Sequence, residues 1–276
     1  MMDKADQIDG STRFLVIVGD PIAQVRSPIA FNTRLLERGC NQRMIPWHAA
    51  ADAFEQVMAG LMATRNLDGI VITYPFKERA LAFATTVSRQ AAEVGAANAL
   101  RREADGRWAA DMFDGLGLVR AIASSDHDVH GRSVKLLGAG GAGRAIAFAL
   151  AEAGASRISI HDIDAGKAAA LAANVRAVAS TAEVTAAGPE LGGAEILINA
   201  TPVGLAASDA LPIPLPDLTS ATTVVDIVMR QGGTRLLSYS QQQGCSVIAG
   251  TAMVEAQVDT MLEFFRIGTG HTLSRE

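Results

Sequence analysis

The run VKLLGAGGAGRAIAFALAEAGASRISIHD, at 134–162, constrains the fold more than any other stretch of the chain. An apolar strand leads into a turn with Gly138, Gly140 and Gly143 in G-x-G-x-x-G spacing, with Ala139, Gly141 and Ala142 between and a helix behind. Glycine lets the turn close tightly and lets a pyrophosphate approach the backbone, while the helix start offers unpaired N–H groups and a positive dipole end. The next apolar run, RISIHD, ends on Asp162, nineteen residues past Gly143, where a carboxylate meets an adenosine ribose. Strand, turn, helix, strand and acid in this order predict a Rossmann dinucleotide unit. A carboxylate accepts hydrogen bonds from the 2′- and 3′-hydroxyls and repels a 2′-phosphate. Between Arg157 and Ala170 stands no arginine, although Lys167 is there, so the sequence favours NAD over NADP as cofactor.

The same alternation runs through the rest of the chain. FLVIVG at 14–19, RMIPWHAA at 43–50 and GIVITY at 69–74 read as strands, separated by helix-like segments at 27–39 and 52–65. For the first helix, Ser27 is a suitable N-cap, Pro28 a suitable first residue and Gly39 a suitable stop. Such a rhythm predicts a mostly parallel sheet with crossover helices. NALRRE and RWAADM flank Asp105-Gly106, a hairpin signal that places an antiparallel pair at one edge of that sheet. We therefore expect an α/β chain of two domains. The first covers 1–124 and is completed by 245–276; the second, 125–244, is the Rossmann domain. The apolar spacing of MVEAQVDTMLEFF predicts a last helix that returns to the first domain.

Composition excludes several classes. A formal charge of -5 gives no basic footprint for nucleic acid. No apolar run approaches the ~20 residues of a membrane span. The polar start MMDKADQIDGSTR carries no apolar signal core, so a cytoplasmic protein is expected. Cys40 and Cys245 are isolated, and His127 and His130 lie in a polar stretch with no second ligand pair, so no metal site is expected. For oligomeric state, a monomer or a homodimer is expected.

Two groups in the first domain are suited to move a proton. Lys77, in TYPFKERA, follows a strand and a proline, which puts it at the carboxyl edge where open α/β sheets bind ligands. Asp114, in DMFDGLG, stands at a strand-to-helix junction, where the helix N-terminus favours a carboxylate. Such a pair can share the proton of a substrate hydroxyl while its carbon gives up hydride. Taken singly, either residue is more often a surface charge.

Seven segments, in order, resemble the shikimate dehydrogenase family. They are GDPIAQVRSPIAFN at 19–32, VITYPFK at 71–77, GAANAL at 95–100, FDGLG at 113–117, LLGAGGAGRA at 136–145, INATPVGL at 198–205 and GTAMVEAQVDTMLEFF at 250–265. The resemblance implies a substrate domain and a Rossmann domain, and reversible oxidation of a ring hydroxyl of shikimate, quinate or a related cyclic hydroxy acid. It makes Lys77 the main proton-transfer group and Asp114 its partner. Thr73, Asn98 and Gln257 would bond ring hydroxyls, and Ser27 would contact the carboxylate. Asn199, Thr201, Pro202 and Gly250 would lie beside the cofactor. It also implies a place in aromatic amino acid biosynthesis.

The chain departs from the family pattern at the substrate end. Val25 stands where the family has a carboxylate-binding serine, and Gln24 and Phe31 replace two histidines. Val71 replaces an asparagine, Met112 and Phe113 replace Asn-Thr, and Met229-Arg230 replaces a tyrosine-containing segment. A hydroxyl exchanged for a methyl costs ~1–3 kcal/mol where it leaves a substrate group unpaired. A competent enzyme with a shifted substrate preference is one reading; drift with Arg26 or a backbone N–H taking the carboxylate is its plainer form. A non-catalytic metabolite sensor on the same fold is the alternative, and retention of Lys77 and Asp114 speaks against it. An unrelated Rossmann enzyme with a catalytic lysine, such as a folate dehydrogenase, is a third.

Overall fold

The computed structural model describes residues 8–179 and 181–268. Most of the polar start on which the cytoplasmic expectation rests, 1–7, lies outside the described residues, as does 269–276. The chain divides into two compact units, one of Met1–Phe113 with Gln257–Glu276, the other of Asp114–Ala256.

In the first unit, β1 (Arg13–Gly19), β2 (Gln42–His48) and β3 (Leu67–Ile72) are linked by helices α1 (Ser27–Glu37) and α2 (Phe54–Ala63). A 3-10 turn (Arg79–Phe83), β4 (Thr86–Val87) and α3 (Arg89–Val94) lead to the hairpin strands β5 (Ala99–Arg102) and β6 (Trp108–Asp111). The sheet order is β2-β1-β3-β5-β6-β4. β1 lies parallel to both β2 and β3, whereas β5 is antiparallel to β3 and to β6. The antiparallel pairing therefore sits inside the sheet rather than at its edge. The two-residue β4, too short to leave a sequence pattern, adds parallel to β6 beyond the hairpin. The core gathers Val16, Val18, Phe54, Met58, Ile70, Ile72, Phe76 and Leu100. Large side chains of this kind each contribute about 1.5–3 kcal/mol when removed from water.

Ser27 is not the N-cap of α1. Arg26 holds that position without a side-chain cap bond, and Ser27 is the first helical residue, with its side chain buried. At the other end, α1 gives way to Gly39, at φ 64°; a left-handed residue there suits glycine.

The second unit begins with α4 (Asp114–Ala123) and carries β7 (Ser133–Leu137), α5 (Gly141–Glu152), β8 (Arg157–His161), α6 (Ala165–Val178) and β9 (Glu183–Ala186). It continues with β10 (Ile196–Asn199), β11 (Thr223–Asp226), α7 (Arg235–Gln242) and β12 (Ser246–Ala249). Its order, β12-β11-β10-β7-β8-β9, is parallel throughout, and the strand order reverses between β7 and β10. This is the doubly wound arrangement whose reversal point opens a ligand crevice at the carboxyl ends of the strands. One face buries Leu136, Ile146, Leu150, Ile158 and Ile198, the other Leu137, Leu197, Val224 and Leu236, so helices and loops cover both faces.

The last helix, α8 (Gly250–Phe264), starts in the second unit and from Gln257 belongs to the first. There Asp259 pairs with Arg34 of α1 and with Arg38 just past its end, and Arg101 of β5 donates to the Phe264 carbonyl at 2.6 Å. Phe265 lies so close over Gly69 that a Cβ on that glycine would fall 2.3 Å from its ring. No helix among the described residues is long and apolar enough to cross a membrane.

Candidate active site

In the first sheet, β1, β3 and β6 all end at one edge, and antiparallel β5 begins there. That topology brings Thr73, just past β3, Asn98, just before β5, and Phe113, just past β6, to a single edge. Thr73 donates its N–H to Val18 at 2.9 Å. Gly19 beside it has no room for a side chain, since a Cβ would lie 2.3 Å from the Thr73 methyl. Phe76 is fully buried and stacks on Phe54 with ring centroids 4.1 Å apart, which anchors the backbone of the next residue, Lys77. The Lys77 carbonyl accepts the N–H of Ala97 at 2.9 Å.

Asn98 is the centre of this edge. Its side chain is 2% exposed, and its Oδ1 accepts the N–H of Phe113 at 2.9 Å. Its Nδ2 donates to Oε1 of the buried Gln257 at 3.4 Å. Thus Ala97 and Asn98, adjacent in sequence, hold the backbone of Lys77 on one side and that of the residue before Asp114 on the other. Asp114 is buried at the first position of α4. Lys77 belongs to the first unit, and Asp114 opens the second.

At the substrate-end turn, the Val25 N–H is bonded to Ile22 at 3.2 Å and its side chain is half-buried. Phe31 is 1% exposed and part of the interior. Gln24 is spent locally, its Nε2 donating to the Pro21 carbonyl at 2.9 Å.

In the second unit, the glycine turn follows β7. Gly138 adopts φ 98°, and a Cβ there would lie 2.8 Å from the Ala200 carbonyl oxygen. A Cβ on Gly143 would lie 2.0 Å from the Gly138 carbonyl, so the start of α5 presses on the turn. Gly140 faces open space. Its exposed backbone and the free N–H groups of the first α5 turn form a cradle that fits a pyrophosphate. Gly250 opens α8 with no space for a side chain either: a Cβ would stand 2.6 Å from the Ile227 carbonyl.

Asn199, Asp226 and Thr234 form a buried network behind the loop that follows β10. Asn199 Nδ2 donates to Asp226 Oδ1 and to the Val203 carbonyl, both at 3.0 Å, while its Oδ1 accepts from Thr201 N–H at 3.1 Å and Thr201 Oγ1 at 2.7 Å. Asp226 Oδ2 accepts from Thr234 Oγ1 at 2.6 Å. Burial holds the Asp226 carboxyl above the usual carboxylate range, against the bonds from Thr234, Val228 and Asn199. Sequence reasoning missed Asp226 and Thr234; the available signal was a lone acid closing the apolar run TTVVD.

The chain matches the family described as shikimate dehydrogenase substrate binding domain over residues 17–100. It is 33% identical to a shikimate dehydrogenase (NADP(+)) of Rhodospirillum rubrum, covering 90% of this chain and 89% of that one. Among solved structures, it is similar to a shikimate dehydrogenase in complex with NADP+ at TM-score 0.85 and 26% identity, covering 94% of this chain and 91% of that one. It is also similar to a ligand-free 5-ketofructose reductase of a Gluconobacter strain, at TM-score 0.79 and 28% identity, covering 93% and 94%.

The preference for NAD over NADP read from Asp162 is overturned by two of these, the Rhodospirillum enzyme named for NADP(+) and the shikimate dehydrogenase structure bound to NADP+. The structure supplies a physical reason. Asp162 turns its carboxylate back on the chain: Oδ2 accepts the Ala139 N–H at 2.7 Å and Oδ1 the Asp164 N–H at 2.9 Å. One oxygen braces the glycine turn and the other the loop before α6, so the acid's presence does not report which ribose the site takes. Lys167, exposed in the first turn of α6, is the nearby positive charge. The ordered motifs, the two α/β units and the long match at 33% identity agree: the chain is an oxidoreductase belonging to the shikimate dehydrogenase family.

Proposed function

We propose that the protein is an NADP-dependent dehydrogenase that interconverts a ring hydroxyl of shikimate, or of a closely related cyclic hydroxy acid, and the corresponding ketone. The observation that carries this reading is the Ala97–Asn98 anchor, which fixes the backbone of Lys77 and of Phe113, next to Asp114, on adjacent residues. Lys77 takes the proton of the substrate hydroxyl in one direction and returns it in the other. Asp114, an acceptor at a helix start, shares that hydroxyl and orients it. Thr73, Asn98 and Gln257 present hydroxyl and amide groups to the remaining ring hydroxyls, and Ser27 meets the carboxylate. The turn from Gly138 to Gly143 holds the pyrophosphate, with Asn199, Thr201, Pro202 and Gly250 alongside. When bound, the cofactor accepts or supplies the hydride.

A second reading rests on Val25. With a methyl-bearing side chain at a carboxylate-binding position, the turn suits a neutral polyhydroxy ketone, the chemistry named for the 5-ketofructose reductase to which the chain is similar. Initial rates separate the two. Saturable NADP reduction with shikimate or quinate supports the first reading. NADPH oxidation with 5-ketofructose, without turnover of either acid, replaces it with the second.

A further inference from the structure

The buried network behind the β10 loop reaches the glycine turn, the 199–204 loop and Gly250. Asn199, fully buried at the end of β10, uses each of its amide atoms: Nδ2 on Asp226 and Val203, Oδ1 on Thr201. Thr201 Oγ1 in turn accepts the Val203 N–H at 3.1 Å. The peptide between Ala200 and Thr201 lies directly against Gly138, with no space for a Cβ between them. Behind Asn199, Asp226 is fully buried and receives three donors, from Asn199, Val228 and Thr234. The residue after it, Ile227, gives its N–H to the Asn199 carbonyl at 3.1 Å and sets its own carbonyl against Gly250.

A carboxylate in that position has a specific geometric advantage. It accepts on two oxygens at once, so one group fixes the Asn199 amide, the turn after β11 and the start of α7. Removing it takes the acceptor from the Val228 N–H and one of two acceptors from Asn199 Nδ2, which keeps the Val203 carbonyl, so the Asn199 amide is held less firmly from behind.

Resting on the cofactor reading above, we propose that Asp226 is a positioning residue: acting through Asn199, it sets the 201–204 backbone against the glycine turn and thereby sets cofactor affinity. It does not touch the cofactor. An asparagine at 226 preserves the arrangement, because its oxygen accepts from Asn199 and Val228 while its amide donates to the Thr234 hydroxyl.

The test is NADPH binding to the full chain, followed by nucleotide fluorescence and so independent of the substrate. Asp226→Ala is expected to weaken NADPH about tenfold or more, with Asp226→Asn within about threefold of the parent. Should Asp226→Ala fail to fold, Thr234→Val, which removes the donor to Asp226 together with the α7 cap that accepts the Leu237 N–H, is expected to weaken NADPH in the same direction, and Thr234→Ser, which keeps both bonds, to restore it. Val175→Ala, a cavity in the α6 core remote from the loop, serves as the stability control: it lowers Tm and leaves NADPH affinity unchanged. Parent-like NADPH affinity in folded Asp226→Ala or in Thr234→Val overturns the positioning inference alone. Equal weakening by Val175→Ala also overturns it, by reducing the effect to general destabilisation. A parent protein that binds no NADPH overturns the cofactor reading as well.

Discussion

The amide oxygen of Asn98 accepts the backbone N–H of Phe113 at 2.9 Å, in a site where both residues are buried. A buried N–H that loses its acceptor costs about 1–3 kcal/mol. Asn98→Ala is therefore expected to lower stability by about that amount and kcat/KM more than stability alone explains, because the backbone leading into Asp114 loses its anchor. Asn98→Asp keeps an acceptor for Phe113 and should recover most of the stability. Thermal denaturation alongside kinetics at saturating NADP checks both. Parent-like kinetics in Asn98→Ala would remove Asn98 from the site.

The substrate turn carries a charge-based prediction. Arg26 occupies the N-cap position of α1 beside Val25, with its side chain making no cap bond. If Arg26 takes the carboxylate that Val25 no longer grips, Arg26→Ala raises KM for shikimate about tenfold with little change in kcat, and added salt raises the parent's KM. Val25→Ser is expected to lower KM for shikimate by about tenfold, the worth of one hydrogen bond to a charged group. A KM insensitive to both substitutions places the carboxylate elsewhere.

Nucleotide choice is tested at Lys167. With Asp162 bracing the glycine turn, the exposed amine in the first turn of α6 is the candidate partner for a 2′-phosphate. Lys167→Ala is expected to weaken NADP about threefold to tenfold and to leave NAD unchanged. Asp162→Ala removes the acceptor of Ala139 N–H and is expected to weaken both nucleotides, as measured by titration of each.

A buried amine gives a pH signature. Lys135, in β7, is 1% exposed and donates to the Gly188 carbonyl. Burial holds its pKa below the ordinary lysine value of 10.5, against the pull of Glu190. The unfolded chain then binds this proton more tightly than the folded one, so Lys135 makes stability rise with pH as the ordinary lysine value is approached from below. Lys135→Met removes that contribution. The Tm difference between parent and variant should shift in favour of the parent from pH 8 towards pH 10; a constant difference would mean that the amine titrates normally.

The glycine turn was legible because its physics acts locally. Positive φ at Gly138 and the close approaches at Gly138 and Gly143 demand glycine at fixed spacing, and spacing survives in sequence. The direction of a side chain does not. Asp162 stood where a ribose-binding acid stands, yet its oxygens face Ala139 and Asp164, and the NAD preference read from it failed with the comparisons. Ser27 looked like a cap, but the helix begins one residue earlier than capping chemistry suggested. The Asn199–Asp226–Thr234 network was invisible for a different reason: β10 and β11 become neighbours only through the sheet order, across 27 residues between Asn199 and Asp226. Likewise, the inward place of the antiparallel pair depended on β4, two residues that carry no pattern of their own.

The role of Lys77 is decided by NADP reduction by shikimate and by NADPH binding, both measured on the parent and on Lys77→Ala. If Lys77 moves the proton, the parent turns over saturably, the variant loses kcat by about 10²-fold or more, and NADPH affinity is unchanged, since Lys77 and the glycine turn belong to different units. Turnover in Lys77→Ala close to the parent's, or a collapse of NADPH binding along with activity, would contradict that role.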